Sequence, residues 1–167
     1  PEPASPTGLW VKKPLTERGP WTNHGMGIGD VNKDGRVDLL NGYGWWEQPP
    51  VGTPGTWTYH PAAFGRWSRS SPGGAEIAVY DVNGDGLNDV VTSLQAHGWG
   101  LSWFEQKKAP GGAISFVEHP IMGDFSTKNA GNVTFSQLHG SCYADIDGDG
   151  PADFVTGKRF WSHLDNW

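Results

Sequence analysis

Three short segments of this chain carry residue types and spacings suited to binding a cation: 30–38 (DVNKDGRVD), 81–89 (DVNGDGLND) and 145–153 (DIDGDGPAD). All three follow the pattern D-x-[DN]-x-D-G-x-x-D. When a loop winds around an ion, side-chain oxygens at positions 1, 3 and 5 point inward. Glycine at position 6 permits the sharp turn, position 7 offers its carbonyl and position 9 a further carboxylate. The expected ligands of the first loop are Asp30, Asn32, Asp34, the Arg36 carbonyl and Asp38. Those of the second are Asp81, Asn83, Asp85, the Leu87 carbonyl and Asp89, and those of the third are Asp145, Asp147, Asp149, the Pro151 carbonyl and Asp153. Oxygen-only sets favour a hard ion with flexible coordination, which is calcium; zinc would draw on His or Cys, and neither lies in the loops. Ten of the 18 acidic residues fall in these segments, and about three Ca2+ would offset the formal net charge of −6.

These loops are not EF-hands. A bidentate Glu would be needed at position 12, where the chain has Asn41, Thr92 and Thr156. Asp-Gly and Asn-Gly turns are also common in plain hairpins, but a complete five-position pattern occurring three times speaks for metal. Each loop reads as a self-contained clamp between strands, so metal binding would contribute directly to folding energy.

The elements that position the loops repeat with them. The loop starts lie 51 and 64 residues apart, a period typical of propeller blades or similar arrays. Short strands are expected before the loops at 26–29, 77–80 and 141–144, and after them at 37–40, 90–94 and 154–156. Aromatic strands follow at 43–47, 99–105 and 160–163, with fourth strands at 56–60 and 114–119. With 25 Gly, 13 Pro and 10 Trp and no helical stripe, the expected fold is all-β: propeller-like blades of short antiparallel strands. The expected organisation is a lead-in over 1–20, with one closing strand at 9–12, and repeats over about 21–67, 68–123 and 124–167. Three blades are too few for a closed ring of four to eight. The chain therefore reads as a processed or trimmed part of a longer protein, or as one partner in a ring of copies.

Other features narrow the function. An acidic chain without a basic stripe argues against nucleic acid, and no apolar run of 18 residues is present to enter a membrane. Cys142 is the only cysteine and reads as a buried core residue. Asn132 begins a glycosylation triplet. His24, His97 and His139 each precede glycine but occupy unequal places in the repeat, so they read as structural donors in turns. Glu47, Glu76, Glu105 and Glu118 offer a conceivable carboxylate pair, although Glu47 and Glu105 recur after aromatic strands, which suggests packing or hydrogen bonding. Trp10, Trp21, Trp57, Trp67 and Trp167 stand outside the repeated strands as candidates for packing or for stacking on sugars. An exposed apolar surface on the outer blades is expected to include Val37, Leu39, Val91 and Trp103.

The loops, the preceding Gly27-Ile28-Gly29 and the following 42–47 (GYGWWE) and 157–163 (GKRFWSH) resemble the FG-GAP/VCBS repeat family over about 21–163. The resemblance implies β-propeller blades with calcium in the loops, and a secreted or cell-surface protein. Pro151, directly after the glycine of the third loop, departs from the family pattern. Two functions are compatible with it. One is an extracellular lectin- or adhesion-like module binding carbohydrate or protein. The other is a structural propeller segment without a ligand of its own, or a support for a polysaccharide-active enzyme. Enzyme activity within these residues is left open.

Overall fold

The computed structural model describes residues 7–9, 14–16, 24–53, 55–66 and 73–158. Ten strands carry the fold: β1 Met26–Gly29, β2 Asp38–Asn41, β3 Gly44–Glu47, β4 Thr58–Pro61, β5 Glu76–Tyr80, β6 Asp89–Ser93, β7 Leu101–Lys108, β8 Ile114–Met122, β9 Leu138–Ala144 and β10 Asp153–Lys158. Helical structure among the described residues is limited to a 3-10 turn at Ala130–Asn132, and no helix there is long and apolar enough to cross a membrane. The fold is all-β. The strands expected at 9–12 and 160–163 fall largely or wholly outside the described residues, as do Trp10, Trp21, Trp67 and Trp167.

Eight strands form one sheet in the order β4-β3-β2-β1-β5-β6-β7-β8, and β9 pairs with β10 in a separate antiparallel ladder. Each half of the large sheet is an antiparallel meander that starts at its centre. The halves meet through a short parallel pairing, Met26 with Glu76 and Gly27 with Ile77. Alternate glycines make this meeting possible. A Cβ on Gly27 would lie 2.7 Å from the Ile77 Cβ, and one on Gly29 would lie 2.5 Å from the Val79 Cβ. β1 thus approaches β5 with bare backbone, where any larger residue would push the strands apart.

The sheet bends at this junction, because residues from both halves close on one core. Leu40, Trp45 and Phe64 pack with Ile77, Val79, Val90 and Phe104. A second core joins the next pair of units: Ala78, Val91, Leu101 and Met122 pack with Leu138, Phe154 and Phe135. The period-2 alternation of a strand explains how one element serves both, with Val90 facing the first core and Val91 the second. All five residues of β6 are buried, as expected for a strand covered on both faces.

Two expectations need correction. Val91 is 1% exposed, because the third unit covers its face, and Trp103 packs against the same cluster. Val37 does remain exposed, and Leu39 is half-buried. Cys142 is exposed rather than buried: it stands opposite Val155, itself exposed, on a face of the two-stranded ladder that no described element covers.

Candidate functional site

Each of the three loops links the first strand of a unit to its second: β1 to β2, β5 to β6 and β9 to β10. Their backbones turn alike. Position 6 has positive φ in each, at Gly35 (84°), Gly86 (90°) and Gly150 (104°). Position 4 does so as well, at Lys33 (58°), Gly84 (73°) and Gly148 (82°). Nothing lies within 4 Å of where a Cβ on Gly35, Gly86 or Gly150 would stand, so glycine is required there for its φ and not for space. The sequence reading identified position 6 but did not single out position 4, where a non-glycine residue occurs once.

The side chains of positions 1, 3 and 5 draw the winding backbone inward. The Asp30 carboxylate accepts the N–H groups of Asp34 (3.0 Å) and Gly35 (2.7 Å). Asp81 accepts those of Gly84 (2.8 Å), Asp85 (3.1 Å) and Gly86 (2.9 Å), and Asp145 those of Gly148 (2.7 Å) and Gly150 (3.0 Å). Asn32, Asn83 and Asp147 each accept the N–H of position 5, at 3.2, 3.0 and 3.1 Å. Position 5 accepts the N–H of position 7 in the first two loops, from Arg36 and from Leu87, both at 2.9 Å. Pro151 has no such hydrogen, so Asp149 cannot receive it.

Position 9 has a second task. Asp38 accepts the N–H groups of Val31 (2.8 Å) and Gln48 (3.0 Å). Asp89 accepts those of Val82 (3.0 Å) and Gln106 (2.8 Å), and Asp153 accepts that of Ile146 (3.0 Å). These carboxylates tie each loop to its sheet whether or not they also meet an ion. Burial pushes the Asp38 pKa up, and the nearby Asp34 and Asp30 charges push the same way against the two backbone N–H groups. A cation in the loop would relieve that repulsion.

Among the described residues, the third loop is the one whose carboxylates come close enough together to hold a cation. In the third, one carboxylate oxygen from each of Asp145, Asp147 and Asp149 lies within 4.8 Å of the others. In the first, the Arg36 guanidinium pairs with Asp34 and lies 3.8 Å from Glu47. Loops one and two are also coupled. The Asn88 amide donates to the Asp30 carbonyl (2.6 Å), and the buried Gln106 amide donates to the Val31 carbonyl (2.8 Å).

A second repeated constellation went unrecognised in the sequence. Glu47 lies 2.8 Å from His60 Nε2 and accepts from the Asn32 amide at 3.2 Å. Glu105 lies 3.0 Å from His119 Nε2 and accepts from the Asn83 amide at 3.1 Å. The histidines stack on Trp45 and Trp103, with ring centroids 4.2 and 4.4 Å apart. A Trp-x-Glu with a His directly across the ladder was the available signal, visible only once Trp45 pairs with His60 and Trp103 with His119. Hydrogen bonds from Lys107 and then from His119 hold the Glu105 pKa below the ordinary glutamate value. Glu76 and Glu118 have other partners: Ser141 for the first, Arg66 and Ser102 for the second.

Several concavities lie away from the loops. One of about 290 Å³ opens between the two halves of the large sheet and is lined by Trp45, His60, Phe104, Phe116 and Glu118. Another of about 390 Å³ is walled by the first strands of all three units, including Ile28, Ala78 and Tyr143. The three His-Gly histidines also come together, at the start of those first strands. No family model matches this chain, and no curated protein or solved structure matches it either.

Proposed function

We propose that this chain is a calcium-binding β-propeller module of the FG-GAP/VCBS type, holding about one Ca2+ in each of its three loops. The observation that carries this reading is the common geometry of the loops: a position-1 carboxylate cradled by loop N–H groups, with positive φ at positions 4 and 6. The propeller reading is supported by the shared concavity, since first strands lining one axis are what blades produce. It is also supported by the way the second unit buries one face against the first unit and the other against the third.

The ions act as structural clamps. The proposed ligands in each loop are those at positions 1, 3, 5, 7 and 9. The site is secreted or at the cell surface, where calcium is abundant enough for loops with dissociation constants of about 10⁻⁴–10⁻³ M. Asn132 is exposed there and open to glycosylation. Exposed Ile28 and Met26 on the first unit, and Val155 on the third, are surfaces for further blades of the same protein or for a second copy.

The module's own ligand is carbohydrate or a protein surface, and the cleft beside Trp45, His60 and Glu118 is where a sugar would be stacked and hydrogen-bonded. Elemental analysis and thermal unfolding test the calcium reading. About three Ca2+ per chain are expected, and each site adds about 2.7 kcal/mol when free calcium is a hundred times its dissociation constant. Absence of bound calcium, together with an unfolding temperature indifferent to chelator, would refute it. A glycan array on calcium-loaded protein tests the ligand. Binding lost in His60→Ala supports the cleft, and no binding at all favours the structural segment.

A further inference from the structure

Each of the three repeat units sends one histidine to the same point. His24 precedes β1, His97 lies in the connection from β6 to β7, and His139 is the second residue of β9. The ring centroids of His24 and His97 are 4.6 Å apart, those of His24 and His139 4.9 Å, and those of His97 and His139 5.3 Å. His97 and His139 are nearly parallel, while His24 meets both edge-on, at 75° and 84°. One ring nitrogen from each lies within 4.8 Å of the other two. The unequal places of these residues in the repeat follow from the fold. His24 and His139 occupy the same register, six residues before their loops, where the second unit has Ala75. His97 reaches the position from a neighbouring turn.

The surroundings hold this trio in place. His139 Nδ1 is 3.1 Å from the Gln137 carbonyl, a contact in which the ring must donate, which makes Nε2 the nitrogen that carries the lone pair in the neutral ring. Gln137 has φ of 60° and is buried, and its N–H donates to the Gly98 carbonyl at 2.8 Å. That bond fastens the strand of His139 to the turn of His97. The turn is further tied by Ala96 N–H to the Gly73 carbonyl (2.9 Å) and Gly98 N–H to the Gln95 carbonyl (3.2 Å). Beside His24, a Cβ on Gly25 would fall 1.8 Å from the Ala75 carbonyl oxygen, so only glycine lets the chain carry His24 this close to β5.

We propose that His24, His97 and His139 form a three-histidine centre for a divalent ion of the zinc class, separate in chemistry and place from the oxygen-donor loops. Neutral imidazoles suit zinc, cobalt, nickel and copper and do not suit calcium. Bonds of 2.0–2.1 Å at tetrahedral angles put ligand nitrogens about 3.4 Å apart. The trio needs to close by at most about 1.4 Å, within reach of side-chain rotation at His24, which is exposed. His97 is buried and His139 half-buried, so His24 is the side from which an ion enters. His24 also lines a cleft of about 350 Å³ with Thr16, Asn41 and Trp46. Three protein nitrogens with a fourth position facing a cleft leave room for a water or an oxygen-donor ligand on the ion.

The test uses the full chain, stripped of metal and returned to saturating calcium so that the loops do not compete. Co2+ serves as the visible probe and Zn2+ as its competitor. The expected result is one Co2+ per chain with the absorption of a four- or five-coordinate site, displaced by Zn2+. Affinity should fall at least about 100-fold in His24→Ala, beyond what loss of an outer-shell partner costs, and stay unchanged in His119→Gln. In the wild-type protein, imidazole nitrogen spectra should move for three of the six histidines on adding Zn2+. That measurement decides the matter even if a variant fails to fold. Absence of saturable Co2+ or Zn2+ binding overturns the proposal. So does binding undiminished in His24→Ala, or imidazole shifts confined to His60 and His119. None of these readouts depends on whether the loops hold calcium.

Discussion

Loops 81–89 and 145–153 share one pattern, yet Asp89 is fully buried while Asp153 is exposed. Asp89 ties its loop at two points, to Val82 within the loop and to Gln106 on the third strand of its unit. Asp153 takes one such bond among the described residues, from Ile146. The second unit has a neighbour on each face, whereas the third has the second unit on one face only among the described elements. The same nine residues therefore act differently. In the second unit the loop is part of a packed wall and keeps its shape through buried hydrogen bonds. In the third, among the described residues, it is an exposed cluster of carboxylates whose like charges lie close and which is held by hydrogen bonds within the loop itself.

The largest expected difference is at position 9. In chelator, Asp89→Ala leaves two N–H groups unpaired around a buried site and should cost about 3–5 kcal/mol in urea unfolding. Asp153→Ala should cost about 1 kcal/mol, as expected for one exposed hydrogen bond. Equal costs would mean that the two loops are not held differently.

Next comes charge at position 3. Asp147→Asn gives the third loop the donor set of the first two. Calcium titration should show its affinity reduced about 10-fold, because charge count tunes such sites. Hydrogen exchange in chelator should at the same time become slower around 145–153, since one repelling charge is gone. Faster exchange would argue against charge crowding as the weakness of that loop.

A smaller effect is expected at position 6. Gly86→Ala and Gly150→Ala meet open space, so each should lose only about 1–2 kcal/mol, the cost of forcing a side chain into positive φ. The two losses should match. A much larger loss at Gly86 would place unseen packing against the second loop.

The smallest effect concerns Glu105. Its pKa is depressed by Lys107 first and His119 second, so its stabilising contribution is complete above the ordinary glutamate range. That contribution disappears as pH falls through the lower folded value. Carboxyl NMR in chelator should give a midpoint below the ordinary one, and Lys107→Ala should move it back up. A midpoint unchanged by that substitution would assign the depression to His119 alone.

Much of this architecture can be read from local pattern. β1 occupies the expected 26–29, and β5, β6, β8 and β10 fall within a few residues of their expected places, because period-2 alternation and the Asp-Gly turns are written into contiguous residues. The sharp turns at Gly35, Gly86 and Gly150 are equally local, since one residue's φ is at stake in each. What depends on stacking is not local. Cys142 and Val91 both lie in strands, and what covers each face decides that Cys142 is exposed and Val91 buried. The parallel junction of β1 with β5 joins residues 50 apart. Likewise, the pairing of Glu47 with His60 and of Glu105 with His119 needs the register of the ladder. Most of all, His24, His97 and His139 are separated by 73 and 42 residues and meet because three units pack side by side. Residue types and short spacings specified strands and candidate ligands in this chain; which side chains share a site was decided by packing between units, where contacts distant in sequence become neighbours in space.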